Sequence, residues 1–183
     1  SILALTYPNY EVIIVDDGSR DDTLVAAHGL IKKAKVRVVH QKNTSKAAAL
    51  NRGISESLGE FVFCMDADSV LNPDVIQLGL VKFQTHLKVA AVAGSVEIGN
   101  VKNALTAFQK LEYVSGLNLF KVAQSYLGMV TVIPGPVGLF KKSVLVEVGG
   151  YKSSTYAEDC ELTLRLLMAG YSTVYVPAMT AIT

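Results

Sequence analysis

Phe61-Val62-Phe63-Cys64-Met65-Asp66-Ala67-Asp68-Ser69 is an apolar run that stops at two carboxylates separated by one small residue. Five consecutive apolar residues read as a strand buried on both faces, the pattern of an inner strand in an α/β sheet. Asp66 and Asp68 then fall where that strand leaves the sheet, and in open α/β folds ligands bind in the crevice beyond the strands' carboxyl ends. Carboxylate oxygens are hard ligands suited to magnesium or manganese, ions that commonly bridge one or two protein carboxylates to substrate phosphates. The stretch points to a metal-diphosphate site. A purely architectural reading stands beside it, because Asp also caps helices and tolerates tight bends after strands.

Upstream, Glu11-Val12-Ile13-Ile14-Val15 is a β-branched strand that ends at Asp16-Asp17-Gly18-Ser19, a second junction of strand and carboxylate. A helix to about Lys33, a strand from Val36 to Val39 and a helix opened by Lys46-Ala47-Ala48-Ala49-Leu50-Asn51 and ended by Gly59 fill the interval. Downstream, Asn72-Pro73 starts a helix that runs to about Leu87, Val89 to Ile98 is a strand interrupted by Gly94, and Lys102 to Leu127 is the longest helical stretch. Thr131 to Phe140 mixes strand residues with two prolines and two glycines, which suits a bent edge segment or a backbone wall against a ligand. A short helix over 142–148 precedes Gly149-Gly150-Tyr151, a helix spans Ala157 to Met168, and Ser172 to Val176 is the last strand. Strands alternating with helices predict an α/β layered fold with a mostly parallel sheet.

The chain has 183 residues, half of them hydrophobic, enough to bury the core of one domain. Seventeen Lys and Arg nearly cancel sixteen Asp and Glu, so nothing electrostatic argues for nucleic acid, and any anion must be held by local groups. Cys64 and Cys160 are the only cysteines, a usage that suits a reducing compartment. No apolar run approaches the ~18 residues that cross a bilayer, and the piece is expected to be soluble.

Three acidic clusters remain: Asp16/Asp17 and Asp66/Asp68 after strands, and Glu158/Asp159 opening a helix. Such a set would serve transfer from a nucleotide-sugar. With Val15-Asp16-Asp17-Gly18-Ser19, Lys46 to Gly53, Asp66-Ala67-Asp68, Pro134-Gly135-Pro136-Val137-Gly138 and Ala157-Glu158-Asp159 in this order, the chain resembles family-2 glycosyltransferases of the GT-A fold. Within them it is similar to the processive polysaccharide synthases that make poly-N-acetylglucosamine, chitin oligomers, hyaluronan and cellulose.

The resemblance implies a single catalytic domain, with 1–98 as the nucleotide-sugar half and 99–183 as the acceptor half. By the same resemblance Asp16 and Asp17 contact uridine, Lys46 lies beside the uracil or diphosphate, and Asp66 lies near the ribose and diphosphate. Asp68, with Asp66, binds Mg2+ or Mn2+. Gly135 and Gly138 bring backbone close to an acceptor sugar, and Glu158 flanks Asp159, the catalytic base of an inverting single displacement. The donor is a UDP-sugar, most closely UDP-N-acetylglucosamine, and the acceptor a growing carbohydrate.

Relatives begin with one more strand and continue to a Gln-x-x-Arg-Trp motif and membrane helices, so the resemblance implies a longer protein embedded in the plasma (inner) membrane with this domain on its cytoplasmic face. A missing inner strand leaves open sheet edges, from which self-association and weak UDP binding with slow or no turnover are expected of the isolated piece. Other readings are a non-processive transferase acting on a lipid or protein, a non-catalytic nucleotide-binding module, and, least supported by the position of its Asp-x-Asp, a phosphohydrolase.

Overall fold

The computed structural model describes residues 1–31, 35–85, 88–99, 108, 118–155 and 157–183. Two β-branched runs, β1 (Val12–Asp16) and β2 (Val36–His40), flank helix α1 (Thr23–Leu30) and pair in parallel, with Asp16 opposite His40 at the end of the ladder. They form a two-stranded sheet of their own. Helix α2 (Lys46–Glu56) packs on β1, bringing Gly53 to where a β-carbon would touch Val15. It stops three residues before the expected Gly59, because the Ser57 N–H closes onto the Gly53 and Ile54 carbonyls and its hydroxyl also donates to Ile54.

The second sheet has five strands: β3 (Phe61–Cys64), β4 (Val70–Leu71), β5 (Val89–Glu97), β6 (Gly138–Lys141) and β7 (Ser172–Ile182), in the order β3-β6-β5-β7-β4. Only β5 and β7 run parallel within it. The α/β architecture is as expected, but this sheet is mixed rather than mostly parallel. Alternation of strands and helices reveals the layers; the long connection between β5 and β6 lets β6 return in the opposite direction. Nor does β6 lie at an edge. Pro134 and Pro136 fall ahead of its ladder, in the segment that turns through a short 3-10 helix (Gly135–Val137), so Gly138 to Lys141 retain every N–H needed for pairing on both sides.

β7 is longer than the five residues expected. It crosses Pro177 because the register with β5 breaks there, Ala93 facing Tyr175 and Ser95 facing Thr180. A bulge is where a sheet accepts a residue with no N–H. Gly94 sits inside the same break, and a side chain on it would overlap Met179 O and Val137.

β5 is the centre of the molecule, with Ala90 to Ala93 fully buried. On one face, Ile54 of α2, Leu145 of α5 (Lys142–Glu147) and Leu162 and Leu166 of α6 (Glu158–Met168) form one apolar cluster. On the other, Val75 of α3 (Val75–Thr85) joins Val92, Leu139, Val174 and Met179 in a second. Burial of this kind, at about 25 cal/mol per Å2, is the main force holding helices to sheet. Of the long helix expected over 102–127, α4 (Leu119–Tyr126) is described, with Phe108 as one further helical residue; the remainder lies outside the described residues.

Candidate active site

Three elements aim their ends at one point. The Ser45 hydroxyl accepts the Ala48 N–H at 3.2 Å and starts α2, making Lys46 its first residue. A cation there opposes the helix dipole, and anions offset it: Lys46 Nζ lies 2.9 Å from Asp66 Oδ1 and 3.7 Å from Glu158 Oε1. Burial works against the ammonium, but Asp66, with Asp159 and Glu158 behind it, outweighs that cost and raises the Lys46 pKa above its usual value.

Asp159 and Glu158 open α6. The N-cap is Ala157, with no side-chain cap bond, so Asp159 is not spent on capping. Its Oδ2 accepts the Gly135 N–H at 2.9 Å, and its Oδ1 is buried without a partner. Desolvation is the largest influence on this carboxyl and raises its pKa; Glu158 adds to the rise, while Lys46 and the Gly135 N–H oppose it. The Thr163 hydroxyl donates to Asp159 O at 2.6 Å and accepts the Ile133 N–H at 3.1 Å, tying α6 to the segment that carries Gly135.

Gly135 is the meeting point. A β-carbon on it would stand 3.2 Å from both Asp159 Oδ2 and Lys46 Nζ, and 3.4 Å from Asp66 Oδ2. Lys46, Asp66 and Asp159, scattered over more than a hundred positions of sequence, thus surround Gly135, with Glu158 reaching the group through Lys46.

Asp16 and Asp17 form a separate group. Asp16 is buried, with Oδ2 2.7 Å from His40 Nδ1 and Oδ1 buried without a partner. Asp17 accepts Gln41 Nε2 at 2.7 Å and the Thr44 N–H at 3.0 Å, while Asn43 Nδ2 donates to Asp17 O at 2.8 Å. Gly18, at φ 73°, makes room for Asn43 in this turn. Among the described residues no hydrogen bond or ion pair joins this group to the Asp66 group. The loop from Gln41 to Ser45 connects them, fastened to Asp17 at one end and starting α2 at the other. His40 was not anticipated; its signal was a strand ending in an imidazole beside one ending in a carboxylate.

Asp68 is exposed in the turn after β3, with the Ser69 hydroxyl 3.4 Å away. Gly138 lies apart from the carboxylates. It is buried at the start of β6, where a β-carbon would strike Ile133 and Phe140, so packing accounts for its lack of a side chain. Among the described residues no cluster of three or more His, Cys, Asp and Glu could hold a metal unaided. Two carboxylates, Asp66 and Asp68, fit an ion such as Mg2+ or Mn2+ that completes its shell with water and substrate phosphates.

A family profile described as glycosyl transferase family 2 matches residues 1–149. The chain belongs to glycosyl transferase family 2. This family-2 chain is 35% identical over 178 residues to the poly-beta-1,6-N-acetyl-D-glucosamine synthase of Staphylococcus epidermidis, an alignment covering 97% of this chain and 43% of the relative. It is 36% identical over 182 residues to the synthase of the same name from Staphylococcus aureus, with the same coverage. The chain therefore spans less than half the length of these curated relatives.

Among solved structures it matches a mannosyltransferase, PcManGT from Pyrobaculum calidifontis in complex with GDP-Man and Mn2+, at a TM-score of 0.81 and 25% identity, over all of this chain and 50% of that one. The fold of this family-2 domain is the GT-A fold, here with the mixed sheet described above.

Proposed function

We propose that this domain is the catalytic part of an inverting glycosyltransferase that moves N-acetylglucosamine from a UDP donor onto a growing β-linked polysaccharide. The observation that carries it is the gathering of Lys46, Asp66 and Asp159 around Gly135, with Glu158 beside Lys46. The name shared by the curated relatives supports the choice of sugar.

In this reading Asp159 Oδ1, buried and unpartnered, accepts the proton of the acceptor hydroxyl. The acceptor oxygen then bonds to the anomeric carbon as the bond from that carbon to the diphosphate oxygen breaks, inverting the centre, and UDP departs with the electron pair. Gly135 holds the other carboxylate oxygen and leaves Oδ1 without a protein donor. Lys46 exchanges its contact with Asp66 for the donor's diphosphate, a role that suits an ammonium among more acids than it can neutralise. A divalent ion held by Asp66 and Asp68 would neutralise charge on the leaving diphosphate; the Mn2+ of the mannosyltransferase complex supports a metal of this class. Asp16, through its unpartnered oxygen, and Asp17 would receive the nucleoside.

Among the described residues no helix is long and apolar enough to cross a membrane. The intact enzyme would be embedded in the membrane by other segments, with this domain on the cytoplasmic side where UDP-sugars are available. The test is a donor screen on the full-length protein, with Asp159→Asn in parallel. Polymer formed from UDP-N-acetylglucosamine and abolished by Asp159→Asn is the expected result. Transfer from GDP-mannose alone would overturn the donor assignment, and polymer made by Asp159→Asn would overturn the base.

A further inference from the structure

One turn touches every arm of this site without contributing a group to it. Gly149-Gly150-Tyr151 follows α5, and both glycines are left-handed, at φ 82° and 64°. From the second turn of α2, Asn51 donates Nδ2 to Tyr151 O at 2.7 Å and accepts the Tyr151 N–H on Oδ1 at 2.8 Å. A single carboxamide thus satisfies both backbone groups of a buried residue. A side chain at position 150 would run into Asn51 Oδ1, so the glycine and the asparagine are a matched pair.

From the last turn of α6, Arg165 donates to Gly150 O at 2.6 Å and to Val148 O. Its guanidinium is held in turn by Glu161, at 2.7 Å for each of two contacts, so Glu161 braces this arginine. From the sheet, the Tyr151 ring is buried edge-on to Phe140, with centroids 6.3 Å apart, in the same apolar cluster as Cys64 at the end of β3.

These are the three elements that present the site: α2 begins with Lys46, α6 with Glu158 and Asp159, and β3 runs into Asp66. Apolar packing between α2, α6 and the sheet resists separation but tolerates sliding along a helix axis, whereas hydrogen bonds to fixed backbone groups do not. We infer that Asn51 and Arg165 are positioning residues: through the Gly150-Tyr151 turn they set how far along their axes α2 and α6 stand, and so the spacing of Lys46 from the Glu158-Asp159 pair. The inference rests on the reading in which Asp159 is the base and Lys46 holds the donor.

The test uses the full-length enzyme with Asn51→Ala, Asn51→Asp, Arg165→Lys and, as a core control on the same helix, Ile54→Val. Turnover is measured per folded molecule, well below each variant's unfolding temperature, together with the donor KM. Misplacement of reacting groups by about 1 Å costs on the order of a hundredfold. Asn51→Ala and Arg165→Lys are therefore expected to lower kcat by tenfold or more, with donor KM within about threefold. Asn51→Asp, which keeps the acceptor for the Tyr151 N–H but sets its second oxygen against Tyr151 O, is expected to lose at least as much as Asn51→Ala, and Ile54→Val stays near wild type. Should Asn51→Ala not fold, Arg165→Lys and Asn51→Asp carry the same comparison. Turnover per folded molecule within twofold of wild type in Arg165→Lys and the Asn51 variants, with only the unfolding temperature lowered, would overturn the positioning role while leaving the base intact. Polymer made by Asp159→Asn would remove the base itself and this inference with it, so the two failures are told apart.

Discussion

The Gly135 N–H holds one oxygen of Asp159 at 2.9 Å and leaves the other buried and unpaired. A buried carboxylate oxygen with no donor costs about 1–3 kcal/mol, and the fold carries that cost at the point where an acceptor hydroxyl would bring a proton.

Gly135→Ala tests the space around this contact. The added carbon meets the ends of flexible side chains, Asp159 and Lys46 at 3.2 Å, so the fold should survive with a stability change of about 1 kcal/mol or less. Transfer is expected to fall by about a hundredfold, because those side chains move out of alignment. Denaturant titration alongside initial rates measures both, and full activity in the Gly135→Ala variant would show that the site's centre lies elsewhere.

Asp159→Asn should trade activity for stability. The pKa of Asp159 is raised in the folded protein, so the native state binds the proton more tightly than the unfolded chain, and ionisation opposes folding above the native pKa. Removing the charge is expected to raise Tm at pH 7 in the absence of donor and metal. That gain should vanish near pH 3, where the carboxyl is protonated in both states. Transfer should drop by about 10^3-fold. Thermal scans at the two pH values give the comparison; an equal gain at both would exclude ionisation as its cause.

The pH dependence of kcat/KM provides a second sign. A protonated base cannot accept a proton, so activity should fall as pH drops through the Asp159 pKa, which lies above the ordinary 3.8. Lys46 lowers that pKa and Glu158 raises it. In Lys46→Met the acidic limb should move to higher pH, and in Glu158→Gln to lower pH. Limbs that stay in place in both variants would assign the profile to another group.

Metal removal should silence the enzyme without unfolding it. Because no three protein ligands are gathered into a cluster among the described residues, an ion held by Asp66 and Asp68 contributes little to folding. A chelator is expected to abolish transfer, to leave Tm within about 2 °C, and to be reversed by added Mg2+ or Mn2+. A large fall in Tm would instead reveal a structural ion.

Gly94→Ala probes the fold alone. Its β-carbon would overlap the Met179 carbonyl in the β5–β7 bulge, where backbone faces backbone and neither side yields easily. A loss of about 3 kcal/mol in a urea titration is expected; a loss below about 0.5 kcal/mol would mean that the bulge relaxes.

Much of this was legible along the chain. Apolar runs broken by carboxylates marked the ends of β1 and β3, Glu158-Asp159 stood out by opening a helix, and Lys46 was marked by the family resemblance. The position of β6 was not legible, since two prolines and two glycines look like an edge until their place ahead of the ladder is known. Nor were Asn51, Thr163 and Arg165, whose importance lies in backbone groups about a hundred, thirty and fifteen residues away.

Composition, hydrophobic period and the spacing of acids by themselves determined the α/β class, the strand ends and the choice of residues with chemistry to offer, because each depends on neighbours within a few positions. Which strands lie side by side, which way β6 runs, and which oxygen of Asp159 is left free were decided only by the tertiary structure. Those outcomes depend on hydrogen bonds and excluded volume between segments far apart in the chain, and Gly135, which family resemblance alone marks in the sequence, meets Lys46, Asp66 and Asp159 only in the folded chain.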